Sequence, residues 1–182
     1  IGALKVLPNL RIYSPSGSKS MAIILEEVLA EKYASFIRMS KTCIHEENDI
    51  TSPNHFIVET TSPILIISHG KMVGNSLSAY NISPIFSLFA MDRIKPLDDN
   101  LLKKLFLRFE NVVVIEDNFR SGLYNSLCQW AIEKNANHTN IFSISPNESY
   151  DEVIGDSAFL ENVHGLSPEK ISKKIIEIIN NK

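Results

Sequence analysis

The sequence predicts an α/β fold: a mostly parallel sheet flanked by helices, preceded by a partial strand–helix–strand of a second α/β domain. Three observations carry this. Residues 64–68, apolar up to the closing Ser68, and 112–115 lack the polar alternation of a half-exposed strand, so each suits a strand covered on both faces. Between such runs lie stretches with helical apolar spacing, as in Leu101, Leu102, Leu105, Phe106 and Phe109. Strands and helices then alternate to the end of the chain, the order of βαβ units with right-handed crossovers.

In chain order, residues 10–13 read as a short strand between Pro8 and Pro15, and Ser14-Pro15-Ser16-Gly17 as the turn after it. Ser16 or Ser18 is a candidate cap for a helix over 19–32, whose apolar face is Met21, Ile24, Leu25, Val28 and Leu29. Residues 35–39 make a second strand. One such unit cannot bury a sheet alone, so partner strands from outside this chain are expected, with an exposed apolar patch along residues 1–39 where they would pair. Polar residues collect next (His45, Glu46, Glu47, Asn48, Asp49), with Pro53 and Pro63 as punctuation. This gives a division into residues 1–42, a linker over 43–62 containing a candidate strand at 56–59, and a domain over 63–182.

Within that domain a strand over 64–68 ends at His69-Gly70, followed by a helix over 72–80 and a strand over 85–90. Asp98 or Asp99 can cap the helix carrying Leu101 to Phe109, and the 112–115 strand delivers Glu116 and Asp117 to its carboxyl edge. A helix over 122–133, a strand over 139–144 and a short helix over 157–163 follow. The last helix opens with Ser167-Pro168-Glu169, a cap, a first-turn proline and an acid at the positive end, and presents Ile171, Ile175, Ile178 and Ile179.

At 182 residues and 44% hydrophobic, the chain can bury one good core, or one domain and part of another. A formal charge of −3 provides neither a nucleic-acid-binding stripe nor a polybasic membrane patch. No apolar run approaches the ~18 residues that cross a bilayer, and no leader pattern is visible. Cys43 and Cys128 lie far apart, which suits a reduced, cytoplasmic protein, and the sequons at Asn137 and Asn147 read as chance matches there. The chain begins at Ile1 and reads as a fragment or a processed product.

No strong catalytic motif is present: there is no G-x-G-x-x-G, Walker A, H-E-x-x-H or C-x-x-C. His69 stands at a strand's carboxyl edge, where ligands gather in α/β folds, but without a second ligand nearby in sequence it reads first as a structural histidine. Glu116 and Asp117 could serve acid–base work or a metal, and more often such acids bind loops or a partner subunit. Arg38 and Lys41 suit an anionic group such as a phosphate, or a solvated surface pair. Cys128, Tyr124 and Trp130 read as packing or interface.

As an ordered set these segments do more. Leu7-Pro8-Asn9-Leu10, the Ser14-Pro15 turn and Ile37-Arg38-Met39-Ser40-Lys41 resemble the tail of the pyrimidine-binding domain of transketolase-type enzymes. Residues 66–73 (IISHGKMV), Asp92-Arg93-Ile94-Lys95-Pro96-Leu97-Asp98, Val112 to Asp117 with Ser121-Gly122-Leu123, and His164-Gly165-Leu166-Ser167-Pro168-Glu169 resemble that family's C-terminal domain. The resemblance implies the C-terminal portion of an enzyme that uses thiamine pyrophosphate and magnesium to move a two-carbon ketol unit between sugar phosphates. It implies that this portion has a structural and assembly role and is not competent alone. No catalytic, cofactor-binding or metal-binding residue is expected on it, and it would bind neither cofactor nor metal by itself. Its partners would be the diphosphate- and pyrimidine-binding remainder and a second copy in a homodimer. Lys41 takes the place of a sugar-phosphate-contacting arginine and Arg38 that of a second; lysine is a point charge, so its grip differs from an arginine fork. Tyr124 and Asn125 depart from the family's glycine and small residue at that helix start. Two other readings stand beside this one: the β subunit of a thiamine-dependent 2-oxo acid dehydrogenase, and a non-catalytic assembly module.

Overall fold

The structure, a computed structural model, describes residues 1–41, 44, 49–136, 138–150 and 152–180. Cys43, the polar run His45, Glu46, Glu47 and Asn48, and Asn137 of the first sequon lie outside the described residues. The chain runs β1 (Arg11–Tyr13), α1 (Ser18–Ala30), β2 (Ser35–Ile37), β3 (Asn54–Val58), β4 (Ile64–Ser68), α2 (Met72–Ile82), β5 (Ser87–Met91) and β6 (Arg93–Lys95). It continues through α3 (Asp99–Arg108), β7 (Asn111–Ile115), α4 (Leu123–Glu133), β8 (Asn140–Ile144), α5 (Ser157–Val163) and α6 (Pro168–Asn180).

The larger sheet has the order β3-β5-β4-β7-β8. β5, β4, β7 and β8 are mutually parallel and β3 pairs antiparallel with β5 at its edge. The apolar runs explain the two-sided cover. Because side chains alternate along a strand, Val112 and Val114 of β7 enter the core with Leu102, Phe106 and Trp130, while Val113 and Ile115 enter the one with Met72, Ile171 and Ile175. β4 divides likewise, Leu65 and Ile67 to one side, Ile64 and Ile66 to the other. Each such residue, fully buried, contributes about 1.5–3 kcal/mol of transfer free energy. In the first core the Phe106 and Trp130 rings meet edge-on with centroids 5.0 Å apart, and the Thr139 hydroxyl donates to the Phe106 and Phe109 carbonyls.

Helix starts differ from expectation in instructive ways. Asp98, not Asp99, caps α3, accepting from the Leu101 amide at 3.0 Å; Asp99 instead accepts from Trp130 Nε1 at 2.8 Å and pairs with Lys103 and Lys134, tying α3 to α4. Neither Ser16 nor Ser18 caps α1. Its cap position is Gly17, whose amide donates to Ser20 Oγ, because the Ser16 side chain is used elsewhere.

The first strands are not left without partners. β6 leaves the large sheet and pairs antiparallel with β1, which also pairs in parallel with β2, giving a three-stranded sheet β2-β1-β6. β2 is its edge, and Leu25, Leu29, Tyr33, Phe36 and Met39 around it are exposed. No helix among the described residues is long and apolar enough to cross a membrane.

Phe106→Ala removes a ring that joins α3, β7 and α4. We expect a loss of about 3–5 kcal/mol in urea unfolding with the m-value unchanged.

Candidate functional site

The larger sheet reverses direction at β4: the next strand, β5, lies on one side, and the chain later returns past β4 to place β7 on the other. Such a reversal opens a crevice outside the carboxyl ends of the strands, where open α/β sheets commonly place ligands. Here side chains of this chain fill much of it. His69 follows β4, Glu116 and Asp117 follow β7, Asp92 joins β5 to β6, Ser14 and Ser16 follow β1, and Arg38 follows β2.

Glu116 is fully buried and spends both oxygens on the start of α4. Oε2 accepts from the Leu123 amide at 2.9 Å and Asn118 Nδ2 at 2.8 Å, and Oε1 accepts from the Tyr124 amide at 3.0 Å. These are orphan donors of a helix N-terminus, where a carboxylate is favoured. Gly122 is required beside it, since a Cβ there would overlap Glu116 Oε2. Burial pushes the Glu116 carboxyl up, but the His69 imidazole, the Tyr124 amide and Asn118 outweigh it and leave it below the usual range.

His69 is also fully buried, with Nδ1 3.0 Å from Ser14 Oγ. Its Nε2 faces Glu116 Oε2 at 3.8 Å, an electrostatic contact too long for a hydrogen bond. Gly70 brings the two sheets close: it holds φ +54°, its amide donates to the Ser14 carbonyl at 2.9 Å, and a Cβ would stand 2.7 Å from Ser14 Oγ. Arg38 lays its fork on Asp117, at 2.5 and 2.8 Å. Burial alone would raise Asp117; the Arg38 guanidinium reverses this and holds the carboxyl below its ordinary value.

Asp92 is the third buried acid. Its Oδ2 accepts from the Ser16 amide at 2.7 Å and the Ser16 hydroxyl at 2.6 Å, and its carbonyl accepts from the Ser14 amide at 2.7 Å. Among the described residues its Oδ1 has no hydrogen-bond partner. Burial pushes this carboxyl up to about 6, against the opposing pull of Ser16, Ser20 and His69.

The structure thus brings together His69, Glu116, Asp117 and Arg38. Lys41 is exposed, with no ion pair among the described residues. Cys128 is a free thiol beside Tyr124 on α4; burial and that thiol push the phenol up. Trp130 belongs to the core. Asp92, Ser14 and Ser16 were not singled out as site residues, although an acid ending the wholly apolar stretch before it was a signal of the kind used for Glu116. In chemical terms the cluster is engaged: its carboxylates accept from this chain's own amides, hydroxyls and guanidinium. Among the described residues no group of three or more His, Cys, Asp and Glu side chains is placed to hold a metal ion.

The raised Asp92 sets a pH dependence. A carboxyl at about 6 when folded and 3.8 ordinarily binds its proton more tightly in the native state. Its contribution to stability is therefore full below about pH 4 and is lost as pH rises through about 6, a change of about 3 kcal/mol. Asp92→Asn keeps an acceptor for Ser16 and places an amide where Oδ1 lacks a partner. Urea unfolding from pH 4 to 7 should show stability falling across this window in the parent and a flatter profile in the variant; an unaltered slope would assign the dependence to other groups.

No family model matches the chain. A 1-deoxy-D-xylulose-5-phosphate synthase of Aliarcobacter butzleri (strain RM4018) is 22% identical over 182 residues, 96% of this chain and 30% of that protein. One of Dictyoglomus thermophilum (strain ATCC 35947 / DSM 3960 / H-6-12) is 24% identical over 192 residues, 97% of this chain and again 30% of that protein. The chain therefore spans about a third of the length of the curated relatives it matches. Among solved structures, a split-gene transketolase described as an inactive beta4 tetramer shares the fold, with a TM-score of 0.78 and 17% identity over 97% of this chain and 59% of that one. The chain thus has the fold of a transketolase chain and is similar, along nearly all its own length, to part of the 1-deoxy-D-xylulose-5-phosphate synthases.

Proposed function

We propose that this chain is the C-terminal portion of a thiamine pyrophosphate-dependent, transketolase-like enzyme that transfers a two-carbon ketol unit between sugar phosphates, and that this portion's role is structural. The observation that carries the reading is the spent chemistry of the switch-point crevice: Glu116 holds the start of α4, Asp117 holds Arg38 and Asp92 holds Ser16. Among the described residues no group of three or more His, Cys, Asp and Glu side chains is placed to hold the cofactor's metal, so no step of the reaction is assigned to them.

The division into residues 1–42, the end of a pyrimidine-binding domain, a linker over 43–62 and the C-terminal domain over 63–182 belongs to the same proposal. The open edge at β2 and the exposed Leu25, Leu29 and Phe36 support a partner there, namely the remainder of the enzyme. A homodimer, magnesium as the metal and a cytoplasmic location complete it. Within the whole enzyme Lys41 is the proposed phosphate contact, since Arg38 is occupied by Asp117. A second reading, synthesis of 1-deoxy-D-xylulose 5-phosphate, is favoured by the names of the sequence relatives; it keeps the sugar-phosphate class and changes the product.

Calorimetric titration of this chain with thiamine pyrophosphate should give the same result with and without magnesium, and clear magnesium-dependent binding would overturn the assignment of the cofactor site to the remainder. In the assembled enzyme, Lys41→Glu should raise KM for the sugar phosphate about tenfold with kcat little changed, as loss of one charge-assisted contact requires. Product analysis of that enzyme separates the two readings.

A further inference from the structure

The buried cluster fills the switch-point crevice on the side facing the small sheet; on the side facing β8 and α5 the crevice stays open as a groove. Two cavities of about 400 Å³ each adjoin there, sharing Ser149 and His164. The first is lined by the apolar Phe119, Pro146, Leu160 and Leu166 and by Asp117 and the Lys71–Glu161 ion pair. The second is polar, bordered by Ser145, Asn147, Gly165, Lys170 and Lys174. We propose that this groove binds a nucleotide-like ligand, with its aromatic ring on Phe119 and its phosphates at Lys170 and Lys174.

Four observations support this. The groove lies outside the carboxyl ends of β7 and β8, beside the reversal at β4, where open α/β sheets receive ligands. Its size is within the ordinary range for small-molecule sites. Phe119 is 46% exposed, an aromatic face turned to solvent with no aromatic partner among the described residues. Lys170 and Lys174 stand one turn apart on α6, and among the described residues neither pairs with a carboxylate. Lys170 Nζ donates to the Asn162 carbonyl at 2.7 Å, and Lys174 lies over Gly165, which at φ +73° leaves the space that a side chain would take. Burial, then the charge of Lys170, holds the Lys174 ammonium below its ordinary value, against Glu177 on the same helix. Two cations held together at one end of a groove are relieved by an anion between them, and phosphate oxygens satisfy both.

ADP, adenosine and inorganic pyrophosphate are the probes, titrated separately by calorimetry into the full chain. Where the assembled enzyme is used, thiamine pyrophosphate is kept saturating so that its own site is closed to them. ADP is expected to bind most tightly. Lys170→Glu with Lys174→Glu should weaken ADP and pyrophosphate at least about tenfold and leave adenosine little changed, whereas Phe119→Ala should weaken ADP and adenosine and spare pyrophosphate. Circular dichroism and the parent melting temperature establish that each variant is folded. Absence of ADP binding by the folded parent overturns the proposal, as does ADP binding that neither variant alters. The groove's assignment is independent of the transferase reading: a failure to find ketol transfer leaves these outcomes intact.

Discussion

The contact on which the rest of this structure depends is the buried hold of Asp92 on Ser16, with the ion pair between Arg38 and Asp117 beside it. β1, α1 and β2 are too small to stand as a sheet. They are fixed because β6 pairs with β1, because Asp92 at the root of β6 binds the turn after β1, and because Arg38 after β2 reaches across to the end of β7. The ends of β5 and β7 in the large sheet thus grip the small one. The seam is polar, so its free energy is conditional: a buried acid contributes only while its partners remain, and removing one leaves the other uncompensated. The seam specifies one docking of the two sheets where apolar packing alone would tolerate several.

That arrangement also decides what the acids at the carboxyl edge face, namely donors of this same chain. A general base needs a lone pair facing a substrate. Glu116 has given its oxygens to the amides of α4, and the helix dipole together with His69 holds it ionised. His69 has Ser14 on one nitrogen and Glu116 near the other, with no exposed surface. Strand-edge position is a statement about topology; availability depends on what the neighbouring loops have already claimed.

The elements that pack on both sides were legible in the sequence, since unbroken runs such as Val112 to Ile115 and the stripe through Ile171 and Ile175 have one physical solution each. The helix starts were half legible. A cap is chosen by which side chain is free, and Ser16 reads as a cap only until Asp92, 76 positions away, engages it. The pairing of β6 with β1 was hidden for the same reason: three residues, Arg93–Lys95, carry too little pattern to announce a change of sheet. Arg38 was legible as a basic residue at a strand end, but its partner Asp117 lies 79 positions on, a distance over which local spacing has nothing to say.

Polar satisfaction then divides the carboxyl edge in two. Where β4 and β7 meet the small sheet, most donors and acceptors find partners within the chain, and the crevice closes on itself. Where β7 and β8 face α5 and α6, the charges do not close: Lys170 and Lys174 share one end of a groove without a carboxylate among the described residues, and Phe119 turns its ring to solvent. A fold can leave lysines uncompensated at its surface at little expense, because water solvates them. Sinking one of them against Gly165 beside its neighbour is different, since burial and like charge both act against it. The geometry is unfavourable for an empty groove and favourable for one holding an anion, and this distinguishes the open half of the edge from the closed half.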